Sequence, residues 1–95
     1  MRELNEAFAH ALKCLRIEAK LTQNDFPPEV SREHVSLIER GLRSPSLEMI
    51  DLLANKLGIH PLTLVAQCYL SGMRSVELDD LLETVRNQAR PDLAR

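Results

Sequence analysis

The sequence predicts an all-α fold, a compact bundle of about five to six short helices. Along most of the chain, apolar residues recur at intervals of three and four, the spacing that places them on one face of a helix. No stretch of the sequence shows the period-two alternation or the β-branched clusters that indicate strands. Residues that start or stop helices separate the periodic stretches. A chain of 95 residues is long enough for a single hydrophobic core.

The first periodic stretch predicts a helix over about residues 3–20, with Arg16 on the border of its apolar face. Thr22 is suited to cap a second helix. The sequence Phe-Pro-Pro at 26–28 cuts that helix to hardly more than one turn, because a residue before proline avoids the α region. The apolar face of the first helix consists of Leu4, Phe8, Ala11, Leu12, Leu15 and Ala19.

A short helix with a polar outer side is predicted over residues 31–40. Ser31 is a good N-cap, and Val35 and Ile38 share the inner face. Gly41 can take the positive φ that ends a helix. Such a helix is either an ordinary surface helix or a probe that enters a groove. Its outer side carries Arg32, Glu33, His34, Ser36 and Leu37.

Two more helices follow in the second half of the chain. Ser46 caps the first of them and Gly58 ends it. Pro61 suits the first turn of the next helix, which Ser71 and Gly72 end. The apolar face of the first helix is Leu47, Ile50, Leu53, Ala54 and Leu57, and that of the second is Leu62, Val65, Ala66, Tyr69 and Leu70.

The last predicted helix begins after Ser75 and ends before Pro91. Residues 92–95 form a tail that is expected to fray. The apolar stripe of this helix either closes the core of one subunit or packs against a second copy. The stripe consists of Val76, Leu78, Leu81, Leu82, Val85 and Ala89.

Composition excludes several classes of protein and favours none. The formal net charge is −2, so the chain has no general basic character, and affinity for a polyanion must come from local placement. No apolar run is long enough to span a membrane and the start has no signal-peptide core, so we expect a soluble, cytoplasmic protein.

Cys14 and Cys68 are expected to be reduced residues of the core or its boundary. Ligand spacing for a metal is absent, and neither a metal nor a cofactor is expected.

Two helices joined by a short turn, the second of them polar on its outer side, form the helix-turn-helix plan. In that plan the first of the two helices is the short one predicted after Thr22. The free N–H groups at its start favour a phosphate near Gln23. The first turn of the 31–40 helix faces base edges, and the residues after it meet phosphates. The candidate DNA-binding residues are Gln23, Ser31, Arg32, Glu33, His34, Ser36, Leu37, Arg40, Arg43 and Ser44.

Four short motifs occur in a fixed order along the chain. They are Leu-Thr-Gln at 21–23, Ile-Glu-Arg-Gly at 38–41, Ser-Pro-Ser-Leu at 44–47 and Leu-Gly-Ile at 57–59. The span from about residue 12 to residue 64 resembles the Cro/cI-type helix-turn-helix domain, also called the xenobiotic-response-element (XRE) family of bacterial and phage regulators. The resemblance implies a lambda-repressor-like DNA-binding domain and a role in transcription.

The resemblance also implies roles for individual residues. Arg16 and Glu39 should form a mainly structural ion pair, and Gln23 and Arg40 should contact phosphates. Arg32, Glu33 and Leu37 occupy the base-reading positions. Arginine can bind guanine O6 and N7, glutamate can accept from cytosine N4, and leucine can touch a thymine methyl. From its position alone, Leu37 either reads a methyl group or packs on a neighbour.

One segment departs from the family pattern. Between Gln23 and Ser31 the chain is about two residues short and lacks the usual turn glycine. Phe26 is expected to take the buried position that the family gives to leucine. The departure bears on the angle between the two helices and on whether Asn24 also faces DNA.

These observations favour a sequence-specific DNA-binding transcriptional regulator that binds a pseudo-palindromic operator as a homodimer. Residues 1–72 would form the DNA-binding domain, and residues 73–95 a C-terminal helix and tail that dimerise or close the core. The alternative is a protein-interaction module on the same fold, of the antitoxin or anti-regulator type. An enzyme is least favoured, because the sequence has no catalytic arrangement of residues. The expected dimer contacts are Leu78, Leu81, Leu82 and Val85.

Overall fold

The computed structural model describes residues 2–71 and 77–94, and in that part the chain is all-α, as predicted. It has five α-helices and no strand within the described ranges. None of the helices in this part of the chain is long and apolar enough to cross a membrane. The helices are α1 (Arg2–Glu18), α2 (Arg32–Glu39), α3 (Leu47–Leu57), α4 (Pro61–Leu70) and α5 (Leu78–Gln88).

The first four helices enclose the hydrophobic core. Helix α1 packs on α2 and α4, and α3 packs on α4. Phe26 and Val30, from the segment between α1 and α2, are buried in the same cluster. Burial of each large aliphatic side chain contributes about 1.5–3 kcal/mol. The largest fully buried side chains are Leu12, Val35, Ile38, Leu53 and Leu64.

The predicted boundaries of α2 and α3 are confirmed by their caps. The Ser31 hydroxyl accepts from the His34 N–H at 3.1 Å, and the Ser46 hydroxyl accepts from the Met49 N–H at 3.1 Å. Gly41 follows α2 with a φ of 73°, a left-handed conformation that costs glycine no steric penalty. Both helices therefore begin and end where local sequence dictates.

Helix α1 ends two residues earlier than predicted. Lys20 has a φ of 62°, the left-handed conformation usually taken by glycine at a helix end. The Lys20 N–H donates to the Ile17 carbonyl at 2.9 Å and the Leu21 N–H to the Arg16 carbonyl at 3.1 Å, which closes the helix. Ala19, expected on the buried stripe, is therefore exposed beyond the last helical turn.

The short helix expected after Thr22 is not formed. Two consecutive turns take its place, with Asp25 N–H donating to the Thr22 carbonyl at 3.1 Å and Val30 N–H to the Pro27 carbonyl at 2.8 Å. Thr22 still caps its turn, because its hydroxyl accepts from the Asn24 N–H at 3.2 Å. The two prolines lack N–H groups, and Pro27 keeps Phe26 out of the α region. The expectation that Phe26 is buried is confirmed.

The predicted apolar face of α3 is wrong only at its first residue, whereas that of α4 is rotated in the structure. Leu47, expected in the core, is 84% exposed. In α4 the buried residues are Leu64 and Cys68, whereas Leu62 and Tyr69 of the predicted stripe are exposed. Because α4 is apolar almost all round, periodicity alone does not identify the face that α1 and α3 cover.

No residue of helix α5 is buried, although Leu81 is partly buried. Leu78, Leu82 and Val85 are 46%, 51% and 52% exposed. Ser75 and Val76, which were predicted to start this helix, lie outside the described residues. The tail expected to fray contains a 3-10 turn over Pro91–Leu93.

Candidate nucleic-acid interface

An ion pair fixes the C-terminal end of α2 to the end of α1. Arg16 donates from Nε to Glu39 Oε2 at 2.6 Å and from Nη2 to Glu39 Oε1 at 3.0 Å. Arg16 Nη1 also donates to the Leu21 carbonyl at 2.9 Å. The two side chains are only 12% and 3% exposed, and the hydrogen bond to Glu39 raises the pKa of Arg16 despite its burial. The pair implied by the family resemblance is thus present, as the link between the two helices.

Gln23 belongs to the same network. Its Nε2 donates to Glu39 Oε1 at 3.0 Å, a bond that sequence reasoning missed. The expectation that Gln23 begins a helix whose N–H groups attract phosphate is wrong, since residues 21–30 contain only turns. The second hydrogen of the Gln23 amide remains able to donate, so a phosphate contact by this side chain stays a prediction.

The turn over 22–25 is held by two hydrogen bonds of Thr22. The Thr22 N–H donates to Asp25 Oδ2 at 2.7 Å, while the Thr22 hydroxyl accepts from Asn24. Hydrogen bonding to the Asp25 carboxyl from the Thr22 backbone N–H, and secondarily from the Thr22 side chain, lowers the pKa of that carboxyl. The spacing Thr-x-x-Asp resembles a capping box, so this feature was readable in the sequence although no helix follows it.

The first turn of α2 presents its side chains beside an open cleft. Arg32 and Glu33 are exposed, and Ser36 is partly buried one turn further on. The cleft is lined by these three residues and by Gln23, so the structure brings four of the predicted DNA-binding residues together. His34 and Leu37 are partly buried on the flanks of the helix, which leaves both readings of Leu37 open.

Three of the predicted phosphate ligands follow α2 in the chain, and Ser31, another predicted DNA-binding residue, precedes it. Arg40, Arg43 and Ser44 are exposed after its C-terminus, and Arg40 Nε donates to the Ser36 carbonyl at 3.4 Å. Ser31 is exposed before its N-terminus. Its hydroxyl oxygen serves as the N-cap acceptor, and the hydroxyl hydrogen can still donate to a phosphate.

Within the described ranges, no group of three or more His, Cys, Asp and Glu side chains is arranged to hold a metal ion. Cys68 is buried, as expected of a core residue, whereas Cys14 is exposed, so its expected place in the core or at the core boundary is wrong. Burial raises the pKa of the Cys68 thiol, which favours the unreactive protonated form.

The structure shows an all-α domain whose polar-faced α2 follows two turns, and comparison of the sequence with known families identifies the class of protein. A family model described as helix-turn-helix matches residues 12–64. The chain belongs to this family, the Cro/cI or XRE type of DNA-binding domain, which is not enzymatic. No curated protein matches the chain, and no solved structure does. Membership implies DNA binding.

Proposed function

We propose that this protein is a sequence-specific transcriptional regulator that inserts α2 into the major groove of a pseudo-palindromic operator. The observation that supports this most is the contrast between the two sides of α2. Val35 and Ile38 are fully buried on its inner side, whereas Arg32 and Glu33 are exposed on its first turn. A helix held on one side and free on the other can present side chains to base edges at a fixed angle.

The network around Glu39 supports the same proposal. Glu39 joins the end of α2 to Arg16 of α1 and to Gln23 of the preceding turn. Members of this family normally have a full helix between the positions of Gln23 and Ser31. Here two turns take its place, and the hydrogen bonds to Glu39 help to orient α2. Arg32 would bind guanine and Glu33 would accept from cytosine, each contact discriminating by about 1–3 kcal/mol.

Phosphate contacts would fix the register of the helix without reading sequence. Arg40 and Arg43 are exposed positive charges that follow the C-terminal end of α2 in the chain, and Ser44 is exposed as well. The formal net charge of −2 predicts modest affinity for unrelated DNA and a salt dependence set by these few contacts.

We also infer that the protein acts as a homodimer. One module contacts few base pairs, and two-fold dimers that read half-sites about 34 Å apart are the usual solution. The exposed face of α5, with Leu78, Leu82 and Val85, supports a role for residues 73–95 in dimerisation, and residues 1–72 would then form the DNA-binding domain. The protein would then act in the cytoplasm as a repressor of any promoter that overlaps its operator.

Selection of bound duplexes from a random pool tests the proposal. The expected result is one enriched sequence with two related half-sites, separated centre to centre by about one helical turn of DNA or a multiple of it. Sedimentation of the protein on the selected duplex should show two chains per duplex. A pool in which no sequence is enriched would overturn the proposal and favour a protein-interaction module.

A further inference from the structure

Leu47 is the most exposed large hydrophobic residue of the described chain. It is the first residue of α3 and is 84% exposed, although its spacing in the sequence predicts a core position. Leu52, five residues further along α3, is partly buried. An open groove lies between them. It is lined by Glu29, Leu47, Glu48, Asp51 and Leu52.

A second cleft adjoins this groove and shares Glu29 and Leu52 with it. One of its carboxyl groups, Asp25, accepts a hydrogen bond from the Thr22 N–H at 2.7 Å, which lowers the pKa of that carboxyl. Among the residues that the structure describes, Lys56 is the one basic side chain that lines either cleft. The second cleft is lined by Asp25, Pro27, Glu29, Leu52, Asn55 and Lys56.

The combined surface, which we call the acidic groove, is lined by apolar and acidic side chains together with Lys56. Its apolar lining is Leu47, Leu52 and Pro27, and its acidic lining, which we call the rim, is Asp25, Glu29, Glu48 and Asp51. A partner protein can cover exposed apolar side chains of this kind, and the rim selects the charge of the partner.

The charges of the acidic groove exclude two occupants. DNA is excluded because its phosphates carry the same charge as the rim. The groove also shares no lining residue with the cleft beside the first turn of α2. Helix α5 of a second copy is excluded because acidic residues flank its apolar stripe. These residues are Glu77, Asp79, Asp80 and Glu83.

We propose that the acidic groove docks a basic segment of a partner protein that carries at least one large apolar side chain. The apolar side chain covers Leu47 and Leu52, and lysine or arginine side chains pair with Glu48 and Asp51 on the rim. We expect the segment to bind with or without DNA on α2, because the acidic groove shares no lining residue with the cleft beside the first turn of α2. Recruitment of a second protein to an operator is the function that this surface serves.

A labelled synthetic peptide tests the proposal with the full-length protein. The probe is a short fluorescein-labelled peptide of lysine and alanine with leucines at helical spacing, titrated by anisotropy at about 0.15 M salt to screen non-specific attraction. We expect Leu47→Ser to weaken binding by roughly tenfold, the effect of losing one buried leucine contact. Glu48→Gln combined with Asp51→Asn should weaken it as well.

Matched controls distinguish binding of the peptide in the acidic groove from non-specific binding elsewhere on the protein. Leu62→Ser removes another exposed leucine, on α4, and Asp79→Asn removes an acid from α5; neither should change binding. A peptide with serine in place of leucine should bind at least about tenfold more weakly. Since Leu47 is exposed, Leu47→Ser should keep its circular dichroism spectrum and its affinity for the selected duplex.

Three results would overturn the proposal. The first is equal binding of the leucine and serine peptides, which would indicate charge attraction alone. The second is equal loss of binding in Leu47→Ser and Leu62→Ser, which would indicate non-specific contact. The third is self-association of the wild type that Leu47→Ser abolishes in sedimentation, which would identify a second copy as the occupant.

Discussion

Glu39 accepts two hydrogen bonds from the guanidinium of Arg16, with Nε–Oε2 at 2.6 Å and Nη2–Oε1 at 3.0 Å. Both side chains are nearly buried. Little water reaches them, so each charge is stabilised mainly by the opposite charge of its partner. Gln23 adds a third bond to the same carboxylate. The position of α2 therefore depends on an ion pair at one end and on apolar packing along its inner side.

Arg16→Met should lower the free energy of unfolding by about 3–5 kcal/mol, because it leaves the Glu39 carboxylate buried and unpaired. Urea denaturation measures the loss. The double variant Arg16→Met/Glu39→Met should lose less than the single variant, since no charge is then stranded. The matched control is Arg90→Met, which breaks an ion pair with Asp92 whose side chains are 62% and 59% exposed; its cost should not exceed about 1 kcal/mol. Equal losses in Arg16→Met and Arg90→Met would contradict the prediction.

Lys20→Gly should stabilise the protein by about 1 kcal/mol, because a side chain at a φ of 62° carries a steric cost that glycine does not have. The measurement is the same urea titration. Gly58→Ala is the reverse test. Gly58 has a φ of 76° and nothing lies within 4 Å of the position a Cβ would take, so its expected cost of about 1 kcal/mol is purely conformational. A neutral result for both variants would show that these helix ends adjust freely.

Asp25→Asn should reduce stability at neutral pH and flatten the acid side of the stability curve. The Asp25 carboxyl has its pKa lowered below the ordinary 3.8 by hydrogen bonds from Thr22. A depressed pKa in the folded state means that the contribution is present above the unfolded value and is lost as the pH falls through the folded value. Urea midpoints at pH 7 and below pH 3.8 give the difference between wild type and variant. A difference of the same size at both pH values would contradict a role for the ionised carboxylate.

Arg32→Ala and Arg43→Ala should weaken DNA binding in different ways. Arg32→Ala should lose about 1–3 kcal/mol on the selected duplex and relax the preference at one base pair, because it removes a base contact. Arg43→Ala should weaken all sequences nearly equally and reduce the salt slope by about one. Anisotropy titrations at several salt concentrations separate the two. If Arg32→Ala behaved like Arg43→Ala, Arg32 would be a phosphate ligand.

Leu82→Ser should convert a dimer into a folded monomer. Leu82 is 51% exposed and no residue of α5 is buried, so the core should keep its stability while the proposed contact between subunits is lost. Sedimentation equilibrium measures the mass, and circular dichroism checks the helix content. Leu62→Ser is the control for loss of an exposed leucine outside α5. A Leu82→Ser protein that dimerises as well as the wild type would show that α5 does not form the interface.

Local sequence determined most of the helix boundaries. Ser31, Ser46 and Pro61 start helices because each satisfies or tolerates the free N–H groups of a first turn. Gly41 and Gly58 end them in left-handed conformations. These effects act over one turn and need no tertiary partner. The order of the motifs around them also sufficed to indicate the family.

Sequence was less informative about which faces are buried. In α4, Leu64 and Cys68 face the core and Leu62 faces solvent, although all three are apolar. The choice depends on the faces that α1 and α3 cover, which is a property of the assembled bundle. The exposure of Leu47 also depends on the assembled bundle. Its spacing fits the core stripe of α3, but the first turn of α3 lies beyond the end of the core.

The sequence by itself determined that this chain is all-α, where α2 and α3 begin, and that α2 carries polar residues on its outer side, because capping and periodicity are local effects. Only the tertiary structure decided how α2 is held. Pro27 and Pro28 replace a helix by two turns, so residues distant in sequence must orient α2 instead. That orientation comes from Arg16, Gln23 and Glu39, whose side chains meet at 2.6–3.0 Å only when α1, the turns and α2 are packed together.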